Sequence, residues 1–176
     1  MGAYVMIRNA IRVGAIFLAT LVIPVMALNA IPASAASGQR LCEASGSYCL
    51  GSANTSLYTA IVTKSTGRNL DQTPLGGMYQ GEPTYLLQFS SAASDCVGVS
   101  NDVSHVEIKP CNGGTGIVWA KVDLGSGKSE WINRYATENN GTHIEYLTGK
   151  NVADKDFFTA DYGACCGDYQ RYVWKS

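Results

Sequence analysis

The sequence predicts an all-β domain with the architecture of a β-trefoil, in which three units of about 47 residues each supply about four strands. Three observations favour this fold. Apolar residues occur in short runs rich in β-branched and aromatic side chains, the runs end at clusters of glycine and small polar residues, and one strand motif recurs at a fixed spacing. No stretch sustains the apolar period of about 3.6 residues that is typical of a helix.

The strand-like runs fill the chain after residue 40. Turn-forming clusters separate them, such as NGGTG at 112–116, LGSGKS at 124–129 and TENNG at 137–141. Frequent glycine inside the runs also disfavours helix. The predicted strands lie within residues 56–65, 84–91, 105–110, 115–124, 130–137, 143–148, 156–162 and 169–176.

A recurring motif divides the chain into three units. Cys49, Cys96 and His143 stand 47 residues apart, in SYCLGS, SDCVGV and GTHIEY. A second motif recurs in the two later units, as IVW at 117–119 and YVW at 172–174. This internal repetition favours a trefoil over a β-sandwich.

The first 35 residues are predicted to be a signal peptide, and residues 36–176 a single domain. Two arginines precede an apolar run at 13–27, and a small-residue cleavage motif, Ala-Ser-Ala, follows at 33–35. The run of about 15 residues is shorter than the roughly 20 that a membrane-spanning helix needs. We therefore expect a secreted, extracellular protein with no membrane span in the mature chain. The signal resembles those of Gram-positive bacteria.

All six cysteines follow the predicted cleavage site. In an exported protein an even number of cysteines favours structural disulfides over metal ligands or catalytic thiols. Cys96 and Cys111 lie 15 residues apart on neighbouring strand-like runs, so we expect them to pair. Three pairings remain open for the other four, which are Cys42, Cys49, Cys165 and Cys166.

The second unit carries the clearest motif. It contains Cys96-Val97-Gly98-Val99, a second cysteine at Cys111, an Asn/Gly turn at 112–114, and Ile117-Val118-Trp119. In this order it resembles a repeat of the ricin B-type lectin domain, which has a Cys-Leu-Asp-Val strand, a second cysteine, an Asn/Gly turn and a closing Gln-x-Trp.

The resemblance extends over residues 38–176, although only the second unit matches closely. It implies that Trp119 and Trp174 lie in the core and that the Cys96–Cys111 disulfide is the one found within the family's repeat. The glutamine of Gln-x-Trp is missing from the aligned positions, which hold Ile117 and Tyr172.

The resemblance also implies a saccharide pocket, formed by the aspartate of the Cys-Leu-Asp-Val strand and an aromatic ring. A carboxylate accepts hydrogen bonds from adjacent hydroxyls, while the ring covers the apolar sugar face. Gly51 and Gly98 stand at the aspartate position in the first two units, so those pockets are expected to be lost. In the third unit Glu145 takes that position, with Tyr162 or Tyr146 as the ring. Alternatively, Glu145 is a solvated charge on an outward strand face.

Motifs for catalysis or metal binding are weak. His105-Val106-Glu107 and His143-Ile144-Glu145 each place two functional side chains on one strand face. However, the chain has only these two histidines and lacks the C-x-x-C, calcium-loop and G-x-S-x-G motifs. We therefore expect no enzyme, no metal site and no cofactor. A net charge of −1, from 13 basic and 14 acidic side chains, disfavours nucleic-acid binding.

The predicted function is a secreted, non-catalytic carbohydrate-binding module with at most one working pocket, in the third unit, whose partners are glycans or polysaccharide. The alternative is a secreted trefoil that binds a protein target, such as a protease inhibitor, through residues 73–83, which form the longest predicted loop. A third alternative is a structural protein of the cell envelope. An aromatic group near the C-terminus forms either a stacking platform or part of the core; its members are Tyr162, Tyr169, Tyr172 and Trp174.

Overall fold

The computed structural model describes residues 36–44, 46–150, 152–161 and 167–176. The predicted signal peptide, together with Tyr162, Cys165 and Cys166, lies outside these ranges. The described residues form twelve strands, one helix and two 3₁₀ turns. The elements are β1 (Gln39–Glu43), β2 (Cys49–Ser52), β3 (Ile61–Lys64), β4 (Asn69–Tyr79), β5 (Glu82–Phe89), β6 (Ala92–Val99), β7 (Val106–Pro110), a 3₁₀ turn (Gly114–Ile117), β8 (Trp119–Gly125), β9 (Lys128–Asn133), α1 (Arg134–Asn140), β10 (Glu145–Thr148), β11 (Phe158–Asp161), a 3₁₀ turn (Gly167–Gln170) and β12 (Tyr172–Lys175).

Six strands close into a barrel. Around the ring β1 pairs with β4, β4 with β5, β5 with β8, β8 with β9, β9 with β12, and β12 with β1, always antiparallel. The remaining strands form three hairpins, β2–β3, β6–β7 and β10–β11, and the first strand of each pairs with the barrel. Closure of the ring removes the unpaired edges of an open sheet. This arrangement of four strands per unit, repeated three times, confirms the predicted β-trefoil.

The strand register relates the three units residue by residue. The hairpin residue that pairs with the barrel is Cys49 in the first unit, Cys96 in the second and Tyr146 in the third. Positions in the three units can be matched by counting from these residues and by following the pairs between barrel strands. Each unit then places large apolar side chains at the same four positions. These twelve side chains are at most 1% exposed: Leu41, Leu87 and Trp131; Leu50, Val97 and Leu147; Ile61, Val106 and Phe157; Leu70, Trp119 and Tyr172.

The three hairpins join into a cap over one end of the barrel. Ile61, Val106 and Phe157 come from different hairpins and are linked through their backbones. The Val106 N–H donates to the Phe157 carbonyl at 2.8 Å, and the Phe157 N–H donates to the Ile61 carbonyl at 2.9 Å. We call the opposite end, where β1, β5 and β9 begin and β4, β8 and β12 finish, the open end of the barrel.

The two tryptophans predicted to lie in the core differ in burial. Trp119 is fully buried, and its Nε1 donates to the Val97 carbonyl at 2.8 Å. The register makes Tyr172 the counterpart of Trp119, because both begin a barrel strand and pair at equivalent positions. Trp174 is only partly buried and meets the Trp131 ring edge-on, with centroids 6.2 Å apart. It therefore borders the core toward the open end instead of filling it.

The third unit contains a helix where the sequence predicts a strand. The predicted strand at 130–137 is β9 only as far as Asn133, whose side chain accepts a hydrogen bond from the Ala136 N–H at 3.0 Å and caps α1. Gly141, with a φ of 72°, ends the helix in the left-handed conformation that glycine favours. This insertion lengthens the connection between β9 and β10.

Residues 73–83 do not form a loop, so that part of the prediction is wrong. They form the distal half of the β4–β5 hairpin, which turns at Gln80 and Gly81 and carries an irregularity between Pro74 and Met78. The hairpin exposes 44% of Leu75 and 66% of Met78.

Two disulfides connect strands of the first two units. Cys96 bonds to Cys111, as predicted, and Cys42 bonds to Cys49, which selects one of the pairings that the sequence leaves open. The first joins the β6–β7 hairpin, and the second joins β2 to barrel strand β1. Over the described ranges, no helix is long and apolar enough to cross a membrane.

Candidate functional site

The register changes which residue of the third unit stands at the lectin aspartate position. Gly51 and Gly98 each lie two residues after the hairpin residue that pairs with the barrel. The same count from Tyr146 leads to Thr148. Equating His143 with the two cysteines is therefore wrong by three residues, and Glu145 does not occupy the aspartate position.

A lysine fills the space beside this position in the first two units. A Cβ atom added to Gly51 would lie 2.5 Å from Lys64 Cγ, and one added to Gly98 would lie 2.8 Å from Lys109 Cδ. Lys64 and Lys109 occupy equivalent register positions on β3 and β7. An aspartate at either glycine would require the lysine to move, which gives a steric reason why glycine stands at both positions.

Lys109 belongs to a buried polar network. Its Nζ donates to the Val99 carbonyl at 3.0 Å and to Asn101 Oδ1 at 2.9 Å, and it lies 3.4 Å from Glu107 Oε1. Glu107 Oε2 lies 3.5 Å from His105 Nε2. The first His-x-Glu motif is therefore part of the polar network around the Lys109–Glu107 ion pair, and the three N–H donors of Lys109 are already engaged. Within the described ranges, no group of three or more His, Cys, Asp or Glu side chains is arranged to hold a metal ion.

The register places a glutamine of the third unit at the first position of the Gln-x-Trp motif, contrary to the prediction, with a tyrosine in place of the tryptophan. Gln170-Arg171-Tyr172 is in register with Ile117-Val118-Trp119. Gln170 is fully buried, and its Nε2 donates to Thr148 Oγ1 at 3.1 Å and to the Ala160 carbonyl at 3.2 Å. The glutamine thus bonds to both strands of the β10–β11 hairpin. The sequence Gln170-Arg171-Tyr172 is the signal by which this glutamine could have been found.

Glu145 connects β10 to α1 and is only 8% exposed. Its carboxylate accepts a hydrogen bond from Asn140 Nδ2, and its backbone N–H donates to Thr137 Oγ1 at 3.0 Å. It is therefore not a solvated surface charge. Tyr146 follows it on the strand and points to the opposite face, so the structure does not bring these two predicted site residues together.

A groove of about 290 Å³ opens beside Glu145, between α1, the chain that follows the helix, and the tip of the β4–β5 hairpin. We call it the α1–β10 groove. It combines an aromatic ring, an amide, a carboxylate, a hydroxyl and an imidazole, from Tyr79, Gln80, Glu138, Thr142 and His143. The sequence places Tyr79 and Gln80 in the segment 73–83 and gives no sign that Glu138 lies beside them, because Glu138 belongs to the unpredicted helix of another unit.

Arg134 contacts residues from two walls of this groove. Its Nε donates to Glu138 Oε1 at 2.8 Å, and its guanidinium carbon lies 5.7 Å from the centre of the Tyr79 ring. The hydrogen bond to Glu138 raises the pKa of Arg134 above its ordinary value. The arginine therefore lies between the carboxylate and the ring and contacts both.

Comparisons with known proteins give the fold and no family. No family model matches the chain, and no curated protein matches it. A similar solved structure is the crystal structure of a designed threefold-symmetric protein, ThreeFoil, with a TM-score of 0.60 and 19% identity over 78% of this chain and 97% of that one. A mosquitocidal holotoxin matches with a TM-score of 0.58 and 7% identity over 78% of this chain, and the match spans 17% of the toxin chain. At these identities the similarities show that the chain folds as a β-trefoil.

Proposed function

We propose that this chain is a secreted, non-catalytic carbohydrate-binding module and that it binds a saccharide in the α1–β10 groove. The observation that carries the proposal is the set of side chains in this groove. The Tyr79 ring offers an apolar surface for the C–H face of a sugar. The Glu138 carboxylate accepts hydrogen bonds from its hydroxyls, and the Gln80 amide both donates and accepts. Concave sites with a few convergent polar groups are typical of small-ligand binding.

Glu145 acts in this proposal as a positioning residue. Its carboxylate holds Asn140 at the end of α1, and so fixes the helix that forms one wall. Glu145→Gln keeps an oxygen that can accept from Asn140 and should retain saccharide binding. Glu145→Ala removes that acceptor and should weaken binding. Equal weakening by both changes would indicate that the carboxylate contacts the sugar itself.

The experiment is a pull-down on insoluble polysaccharides with protein produced from the full chain. Tyr79→Ala and Glu138→Gln should each reduce retention at least tenfold. The exposed Arg134–Glu138 pair contributes only about 0.3–0.5 kcal/mol, so Glu138→Gln should leave the fold intact. Asp95→Asn, a change on the β6–β7 hairpin, is the matched control and should bind as the wild type does. Retention that is unchanged by both groove variants would overturn the proposed site.

One observation favours the alternative of a protein target. The β4–β5 hairpin projects Leu75 and Met78, which are 44% and 66% exposed, and exposed apolar side chains on a projecting hairpin are suited to contact another protein. A screen against a panel of proteases tests this function. Inhibition that Met78→Ser abolishes, in a protein that binds no polysaccharide, would favour the inhibitor over the carbohydrate-binding module.

A further inference from the structure

The open end of the barrel has a polar interior. Gln72, Lys121 and Trp174 each lie two residues beyond a core position, on β4, β8 and β12 respectively, and side chains two apart share a strand face. Below the apolar core, the barrel therefore carries an amide, an ammonium and an indole on its inner face. At this position the three units carry side chains of different chemistry, whereas at the core position two residues earlier all three carry a large buried side chain.

Among the residues that the structure describes, five buried polar side-chain atoms at this same end lack a hydrogen-bond partner. They are both amide atoms of Gln72, the indole Nε1 atoms of Trp131 and Trp174, and Ser129 Oγ. Gln72, Ser129 and Trp131 are each at most 2% exposed. The Gln72 amide lies near the Tyr85 hydroxyl without reaching hydrogen-bonding geometry. Buried polar groups are nearly always satisfied in folded proteins, so such a cluster indicates ordered water or a ligand at this end of the barrel.

A wide groove of about 660 Å³ opens at this end, within the usual range for small-molecule sites. Gln39, Lys121, Asp123, Lys128 and Trp174 line it. Neither lysine forms an ion pair with any residue that the structure describes. Asp123 is engaged locally, because its Oδ1 accepts from the Gly125 N–H at 2.8 Å. The groove therefore offers two ammonium groups, one carboxylate and an aromatic wall.

We infer that the open end of the barrel is a second binding site, for a saccharide that carries a carboxylate. Lys121 and Lys128 bind the carboxylate, the Trp174 ring contacts the apolar sugar face, and Gln39 bonds to hydroxyls. Gln72, Ser129 and Trp131 are buried and do not line the groove, so their polar atoms complete their hydrogen bonds through water that links them to the sugar. The saccharide class rests on the proposed function, but the site shares no residue with the α1–β10 groove.

The indole N–H signals of the three tryptophans provide a direct test by NMR. Protein from the full chain, labelled with ¹⁵N, is titrated with oligogalacturonate, with the neutral galactose oligomer, and with inorganic phosphate. Oligogalacturonate should shift the Trp131 and Trp174 signals. Trp119 is an internal control, because its Nε1 already donates to Val97, and its signal should stay in place. Equal shifts with phosphate would mean a simple anion site and would overturn the saccharide inference.

Variants separate this site from the proposed function. Lys121→Met keeps the apolar stem near the Trp131 ring and should weaken oligogalacturonate binding at least tenfold. Lys175→Met, an exposed lysine beside Trp174 that does not line the groove, should bind as the wild type does. Binding that Glu138→Gln abolishes and Lys121→Met leaves intact would overturn this inference and support the α1–β10 groove. The opposite result would support the open-end site, and the α1–β10 groove would still be tested by the polysaccharide pull-down with Tyr79→Ala and Glu138→Gln.

A stability measurement provides a second readout. Gln72→Leu removes an unsatisfied buried amide, so it should raise the melting temperature while it weakens oligogalacturonate binding. A higher melting temperature with unchanged affinity would show that the amide has no part in binding and would overturn the role assigned to the deep polar groups.

Discussion

Lys109 and Lys64 stand at equivalent positions in two units, and we predict very different consequences when each is replaced by methionine. Lys109 and its partner Glu107 have side chains that are only 8% and 9% exposed. In Lys109→Met the Glu107 carboxylate stays buried, with the His105 imidazole at 3.5 Å as its remaining ionisable neighbour. Removing one member of a buried ion pair costs about 3–5 kcal/mol of the free energy of unfolding. Because His105 still offers Glu107 a polar neighbour, we expect a loss at the lower end of that range, about 3 kcal/mol.

Lys64 pairs instead with Asp154 at the surface. The two side chains are 36% and 66% exposed, and such pairs contribute about 0–1 kcal/mol. Methionine also preserves the contact of the side-chain stem with Gly51. Lys64→Met should therefore lower the free energy of unfolding by less than about 1 kcal/mol.

Urea unfolding of the oxidised proteins, followed by tryptophan fluorescence, measures both changes under one condition. The double variant Glu107→Gln/Lys109→Met should recover part of the loss, because it leaves no uncompensated buried charge. Similar free energies of unfolding for the two single variants would refute the argument that burial in the second unit makes Lys109 structural.

Three further predictions follow from the fold. Burial raises the pKa of Tyr172 well above its ordinary value of 10, so its neutral form is favoured in the folded state. The resulting contribution of Tyr172 to the free energy of unfolding is complete below about pH 10 and is lost at higher pH. Above about pH 10 the free energy of unfolding should therefore fall less steeply with pH in Tyr172→Phe than in the wild type, as urea unfolding at several pH values would measure. Hydrogen bonds from Ser100 and Ser104 lower the pKa of Asp102 to about 2. An NMR titration should show that value in the wild type and a higher one in Ser100→Ala. Leu87→Ala, at a fully buried position, should cost about 2–5 kcal/mol in urea unfolding.

Much of the fold could be predicted because strands and turns are favoured by residues close together in the sequence. Alternation and β-branched residues identify strands, and the closely matching motifs around Cys49 and Cys96 reveal the repeat. The sequence predicts a loop at residues 73–83 because Pro74, Gly76 and Gly77 are turn formers, yet a shift of register between Pro74 and Met78 accommodates them within paired strands. Pairing between distant strands is a tertiary property that such local signals do not encode.

The candidate site could not be predicted because it depends on an insertion. A constant spacing of 47 residues leads to His143, whereas the inserted helix shifts the true counterpart to Tyr146. The α1–β10 groove then joins Tyr79 from the first unit to Glu138 from the third. Only the closed barrel brings these residues together. The capping residues Asn133 and Gly141 are the local signals that indicate the helix.

The most direct test of the central claim is a glycan array probed with the wild-type protein. The proposed function predicts retention on at least one class of saccharide, competed by the same free sugar, and loss of that retention in Tyr79→Ala. Absence of retention on every saccharide, from a protein whose circular dichroism and two disulfides show the β-trefoil intact, would contradict the claim that this chain is a carbohydrate-binding module.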